Sequence, residues 1–253
     1  EDLLKLNEKQ IQKIRGNKIS MIFQDPMTSL NPFLRISTQM TETIVLHQGL
    51  NKKEAKLKAI EMLKLAGIPA PEKRIDNYPH QFSGGMRQRV MIAMGLSCNP
   101  EILIADEPTS ALDVTIQAQI LELMQDLSKR LGTAVIMITH SLGVVAGMCN
   151  TICVMYAGRI VERGNTEDIF KDPKHPYTRG LIQSVPRLDK ENTERLYSIP
   201  GQPPNVIDLP PCCPFFPRCS KAMDICKKKY PPLKDFGGGH CASCWLYADK
   251  KAE

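Results

Sequence analysis

The chain has 253 residues, 42% of them hydrophobic and 24% charged, with a formal net charge of +6. That length supports one sizeable core, or one core with a small appendage. No apolar run approaches the roughly 20 residues of a membrane span, the polar start "EDLLKLNEKQ" lacks signal-peptide character, and the mild positive charge selects no partner by itself.

In chain order, "KISMIF" (18–23) alternates apolar residues and reads as a strand ending at Gln24. The turn formers of "DPMTSLNP" follow. From about Ser37 to Leu65 the pattern is helical. Asn51, with Glu54 three positions on, makes a capping-box start, and Gly67 is a stop. Residues 69–85 form an irregular connection, and a helix is predicted from about Met86 to Cys98. "ILIA" (102–105) is aliphatic without alternation, as in a strand covered on both faces. A helix is predicted from about Val114, with Ile116, Ile120, Leu123, Met124, Leu127 and Leu131 on one face and Gly132 at its end. "TAVIMITH" (133–140) reads as a buried strand ending at His140. "TICVMY" and "RIVERG" read as two strands around Ala157-Gly158. Past Asn165 proline becomes frequent and long periodic segments stop. A linker or domain boundary is placed near 165–200, dividing the chain into 1–165 and an irregular, cysteine-rich extension, 166–253.

Alternating strands and helices predict an α/β sheet, and such sheets bind ligands at the carboxyl ends of parallel strands. Gln24, Asp106, Glu107 and His140 each end a predicted strand, so four polar groups converge on that edge. Two adjacent carboxylates beside an apolar core are costly unless something cationic joins them. Asp106 can hold Mg²⁺, directly or through water, while Glu107 can orient and deprotonate an attacking water. "FSGGMRQRV" (82–90) places Ser83, Gly84 and Gly85 before a helix. Taken alone this is an ordinary capped entry; with exposed amides it is also an anion site.

Order and spacing narrow these readings. Gln24, "SGGMRQ", "ILIADEP", "SALD" and "THS" resemble, in sequence order, the Q-loop, signature motif, Walker B strand with its Glu, D-loop and switch His of ATP-binding-cassette transporter ATPases. "RISTQM", "HPYTRGL", "IPGQPPN" and "CPFFPRC" extend the resemblance along the chain and look like the oligopeptide/dipeptide importer branch. The resemblance implies a P-loop NTPase-like sheet with a helical subdomain at about 31–98. It implies ATP and Mg²⁺ as ligands, with Asp106 and Gln24 toward the metal and Glu107, His140 and Gln24 in catalysis. Ser83, Gly84, Gly85 and Gln88 belong to the nucleotide-gripping signature, and Asp113 to a dimer seam. Ser141 departs from the branch, which commonly has Asp after the switch His.

No G-x-x-x-x-G-K-[ST] occurs in the 253 residues. In the family this phosphate loop lies well before the Q-loop, so the chain is expected to lack the family's N-terminal part and to bind ATP weakly on its own. Nine cysteines are present, six of them between positions 212 and 244. That crowding favours metal over disulfides. Cys213, Cys219, Cys226 and Cys244 are separated by five, six and seventeen residues, unlike the C-x2-4-C pairs of structural zinc sites. By resemblance to the importer branch they match a 4Fe–4S cysteine set.

The expected function is ATP hydrolysis powering oligopeptide or dipeptide uptake from the cytoplasmic face of a membrane. The implied partners are a second, non-identical ATPase subunit, two transmembrane permease subunits and, indirectly, an extracytoplasmic peptide-binding protein; no nucleic acid is implied. Two alternatives stand beside it: a non-catalytic, cluster-bearing partner supplying only its signature face, and a nickel importer ATPase of the same branch. A DNA-repair or chromosome-organising ATPase would need long heptad insertions, which the sequence does not contain.

Overall fold

A computed structural model describes residues 2–25, 29–110, 112–185, 197–207 and 209–248. The chain forms two compact units, 1–140 and 141–253.

The first unit is built on three parallel strands in the order β1-β2-β3: β1 (Ile19–Ile22), β2 (Ile102–Asp106) and β3 (Ala134–Ile138). The helices are α1 (Glu8–Ile14), α2 (Ile36–Gln48), α3 (Lys52–Leu65), the short α4 (Pro71–Arg74), α5 (Gly84–Leu96) and α6 (Val114–Leu131). Local chemistry sets their ends. Asn51 Oδ1 accepts from the Lys53 and Glu54 amides at 3.0 Å each, while Glu54 returns an acceptor to the Asn51 amide, completing the expected capping box. The predicted helical stretch 37–65 is therefore two helices, split where Gly49 turns left-handed at φ 65°.

Helix α5 packs on β1 closely enough that a Cβ at Gly95 would touch Leu103 and Ile22 at 3.4 and 3.5 Å. Ser20, Ile22, Leu103 and Ala105 are buried on that face of the sheet. The opposite face differs from expectation. Met21, Ile136 and Ile138 are 39–51% exposed there, while Ile102 and Ile104 of β2 are intermediate, so that face is only partly covered. An unalternating aliphatic run says that both faces are apolar, not that both are covered. Arg89, on α5, donates to the Ala66 carbonyl at the end of α3 (2.9 Å) and to Gln119 of α6 (3.3 Å).

The second unit carries α7 (Leu142–Met148), the hairpin β4 (Thr151–Tyr156) and β5 (Arg159–Asn165), α8 (Thr166–Lys171), α9 (Pro176–Gln183), β6 (Leu233–Asp235) and β7 (Cys241–Ser243). Its sheet is antiparallel, in the order β4-β5-β7-β6. Ala157 and Gly158, both at positive φ, make the expected tight hairpin turn. The tail expected to be irregular thus adds two strands, each of three residues and too short to show periodicity. Residues 186–196 of the expected linker lie outside the described residues; before them the chain is helical.

A register shift at Val154/Met155 lets consecutive β5 residues, Val161 and Glu162, both turn inward. Val161 joins Ile152, Val154, Tyr156, Ile169 and Phe215 in the core. Tyr156, Tyr177 and Phe215 meet at ring-centroid distances of 4.7–5.4 Å. Glu162 accepts from the Lys174 and His175 amides at 2.6 and 2.8 Å and pairs with His240 Nε2 at 2.8 Å.

Candidate functional site

Three of the four strand-end groups meet around one carboxylate. Glu107 directly follows β2. Its Oε2 accepts from Gln24 Nε2 at 3.2 Å, and its Oε1 lies 2.7 Å from His140 Nδ1. The carboxyl group is largely covered, 23% exposed, whereas the His140 ring is 77% exposed. Each neighbour thus takes one carboxylate oxygen. The parallel sheet brings these residues together: Gln24 lies two residues past β1, Glu107 one past β2 and His140 two past β3. Asp106 is the last β2 residue, half-buried and in register with Ile138.

The backbone at Glu107 is unusual. Its φ is +43°, a left-handed conformation that a non-glycine residue adopts only when its surroundings hold it there. The Glu107 amide donates to the Ile138 carbonyl at 2.8 Å, extending the β2–β3 ladder by one step. Ser110 donates from its amide and its hydroxyl to the Glu107 carbonyl, each at 3.2 Å. Ser110 stands in the sequence only as the first letter of "SALD", and a left-handed residue before Pro108 leaves no local signal.

The signature residues lie at the start of α5. Ser83 is the N-cap, its hydroxyl accepting from the Met86 amide at 3.4 Å. Ser83 and Gly84 are exposed, so the first amides of a thirteen-residue helix face solvent, where an anion is favoured. Gly85 also has a packing reason: a Cβ there would sit 2.9 Å from Ile116 Cγ2. Gln88 lies on the packed side, 1% exposed, and its Nε2 has no hydrogen-bond partner among the described residues. Asp113 is the N-cap of α6 and accepts from the Ile116 amide at 3.0 Å. The signature entry and the loop behind Glu107 are thus joined through Ile116.

In the second unit, burial pushes the Cys213 and Cys244 thiols up to about 11, with smaller contributions from negative charge on neighbouring cysteines. Those neighbours are Cys219 and Cys226 for Cys213, and Cys219, Cys213 and Cys226 for Cys244, so the four thiols lie within electrostatic reach of one another. Each sulfur also accepts a backbone N–H: from Phe215 at Cys213, Lys221 at Cys219, Met223 at Cys226 and Leu246 at Cys244. Among the described residues, no group of three or more His, Cys, Asp or Glu side chains is placed to hold a metal ion. None of the described helices is long and apolar enough to cross a membrane.

Residues 1–110 match the family model "ABC transporter", and residues 161–226 match "Oligopeptide/dipeptide transporter, C-terminal region". The chain is 54% identical over 244 residues to the oligopeptide transport ATP-binding protein OppD of Salmonella typhimurium, covering 96% of this chain and 72% of that one. It is 52% identical over 253 residues to the dipeptide transport ATP-binding protein DppD of Bacillus subtilis, covering all of this chain and 75% of that one. Among solved structures, the dimeric post-hydrolysis state of the ATP-binding cassette MJ0796, bound to ADP and Pi, superposes with a TM-score of 0.56 at 30% identity, over 64% of this chain and 68% of that one. The chain belongs to the ATP-binding-cassette transport ATPases, in the family of oligopeptide and dipeptide transport ATP-binding proteins.

Proposed function

We propose that this subunit hydrolyses ATP to drive uptake of oligopeptides or dipeptides, working at the cytoplasmic face of a membrane. The observation that carries the catalytic part is the Glu107 carboxylate held between Gln24 and His140 at the end of a parallel strand. Glu107 is the general base for the attacking water, and Gln24 and His140 orient it and meet the γ-phosphate. Asp106 and Gln24 would hold Mg²⁺, whose chemistry is to neutralise charge on the transferred phosphoryl group.

Ser83, Gly84 and Gly85 grip a nucleotide seated on a second ATPase subunit, related but non-identical, with Gln88 supporting the motif from within. Asp113 lies at the seam between the two. Closure of such a dimer on ATP and its reopening after hydrolysis would move two transmembrane permease subunits, fed by an extracytoplasmic peptide-binding protein. The family region 1–165 carries this machinery, and 166–253 is its importer-type extension.

Cys213, Cys219, Cys226 and Cys244 are proposed to hold a 4Fe–4S cluster. A single zinc, with Zn–S of about 2.3 Å, would draw its sulfurs close together. The sequence spacing departs from zinc-type C-x2-4-C pairs, and each of the four thiols has an N–H donor of the kind that stabilises cluster thiolates. When bound, the cluster would cross-link the 213–226 segment to the end of β7.

The substrate assignment is tested in vesicles holding the assembled transporter and its binding protein. ATP-dependent accumulation of labelled di- to pentapeptides is the expected result. Accumulation of nickel without peptide uptake would transfer the assignment to the metal-importing alternative.

A further inference from the structure

The general-base reading of Glu107 leaves open what keeps that carboxylate aimed. Its backbone is left-handed at φ +43°, which an L side chain does not choose freely. From this conformation the carboxyl group reaches Gln24 and His140 on the two flanking strand ends. Rotation of Glu107 to an ordinary φ would swing the side chain off the line joining them. Two sets of hydrogen bonds oppose that rotation. On the N-terminal side the Glu107 amide is fixed to the Ile138 carbonyl at 2.8 Å. On the C-terminal side, among the described residues, the Glu107 carbonyl accepts from Ser110, through an amide and a hydroxyl at 3.2 Å each.

We propose that Ser110 is a positioning residue for ATP hydrolysis: its hydroxyl clamps the Glu107 carbonyl and so keeps the general base in its left-handed, productive orientation. The clamp acts on the base of its own subunit, through that residue's backbone carbonyl. Ser110 is exposed and lies on the same short loop as Asp113. The amide clamp belongs to any residue at 110, but the hydroxyl clamp needs Ser or Thr. This proposal rests on the assignment of Glu107 as the base.

The test uses the assembled transporter. Four variants are compared: Ser110→Ala, Ser110→Thr, Glu107→Gln and the double variant Ser110→Ala/Glu107→Gln. Ser110→Ala is expected to lower kcat about 5- to 20-fold with KM for ATP unchanged, and Ser110→Thr to restore most of it. In the Glu107→Gln background, Ser110→Ala is expected to cost nothing further, because the clamp then has no base to aim. Single-turnover phosphate release measures the slow variants. A raised KM in Ser110→Ala, or an equal loss in both backgrounds, would show that Ser110 acts on nucleotide or on the partner and would overturn the clamp. An unchanged kcat in Ser110→Ala beside a slow Glu107→Gln removes Ser110 alone. Normal turnover in Glu107→Gln removes the base assignment, and the clamp with it.

Discussion

Glu162 and His240, 78 positions apart in the chain, meet inside the second unit at 2.8 Å with side-chain exposures of 0% and 7%. The same carboxylate takes the Lys174 and His175 amides, so β5, the approach to α9 and the turn before β7 all close on one side chain. A buried acceptor with three donors is stabilising only while all are present; its removal strands them. Glu162→Ala is therefore expected to destabilise this unit by about 3–5 kcal/mol. Urea denaturation followed by near-UV signals from the Tyr156–Tyr177–Phe215 cluster measures it. A loss below about 1 kcal/mol would show that the three segments hold together without this carboxylate.

His175 introduces a pH dependence. Burial pulls its pKa down from 6.5 to about 4, partly opposed by the charge on Glu162. Its Nδ1 accepts from the Tyr177 amide as the cap of α9, a role open only to the neutral ring. Between about pH 6.5 and 4 the unfolded chain takes up this proton and the folded chain does not. Stability from this group is complete above 6.5 and is lost as pH falls toward 4, by at most about 1.4 kcal/mol per pH unit. His175→Asn keeps an acceptor but cannot titrate there. Its denaturation midpoint should vary less with pH than that of the parent across this window.

Glu107→Gln preserves size and one acceptor but removes basicity. Turnover by the assembled transporter is expected to fall by about 10²- to 10⁴-fold, or roughly 3–5 kcal/mol of barrier, with ATP binding retained. Phosphate release and nucleotide-binding isotherms, taken side by side, separate the two effects. Near-parent turnover would remove Glu107 from the chemistry.

Protein prepared without oxygen is expected to carry iron and acid-labile sulfide in stoichiometric amount, with a broad visible absorption. Substituting Cys219 or Cys244 by Ser should abolish both. Stoichiometric zinc without sulfide would replace the cluster reading with a single-ion site.

The edge at which Gln24, Glu107 and His140 meet is legible in the sequence because strand ends are legible. "ILIAD" and "TAVIMITH" reveal strands by composition, and parallel pairing then brings Gln24, Glu107 and His140 to one side whatever the intervening chain does. The capping box at Asn51 was equally local. What could not be read was non-local or conformational. Glu162 carries no sequence signal of burial, because the register shift that turns it inward leaves no mark on the sequence. Its partner His240 lies in a glycine-rich stretch without periodicity. The left-handed φ of Glu107 depends on Ile138 and Ser110, one of them brought near only by β3. Strands β6 and β7, three residues each, fall below the length at which alternation means anything.

Ile116 leaves no room for even a methyl group at Gly85, and Asp113 caps the helix on which Ile116 stands. Any side chain at position 85 would therefore have to push on Ile116, and with it on the first turn of the helix that Asp113 caps, so the glycine there protects the seating of two helix starts at once.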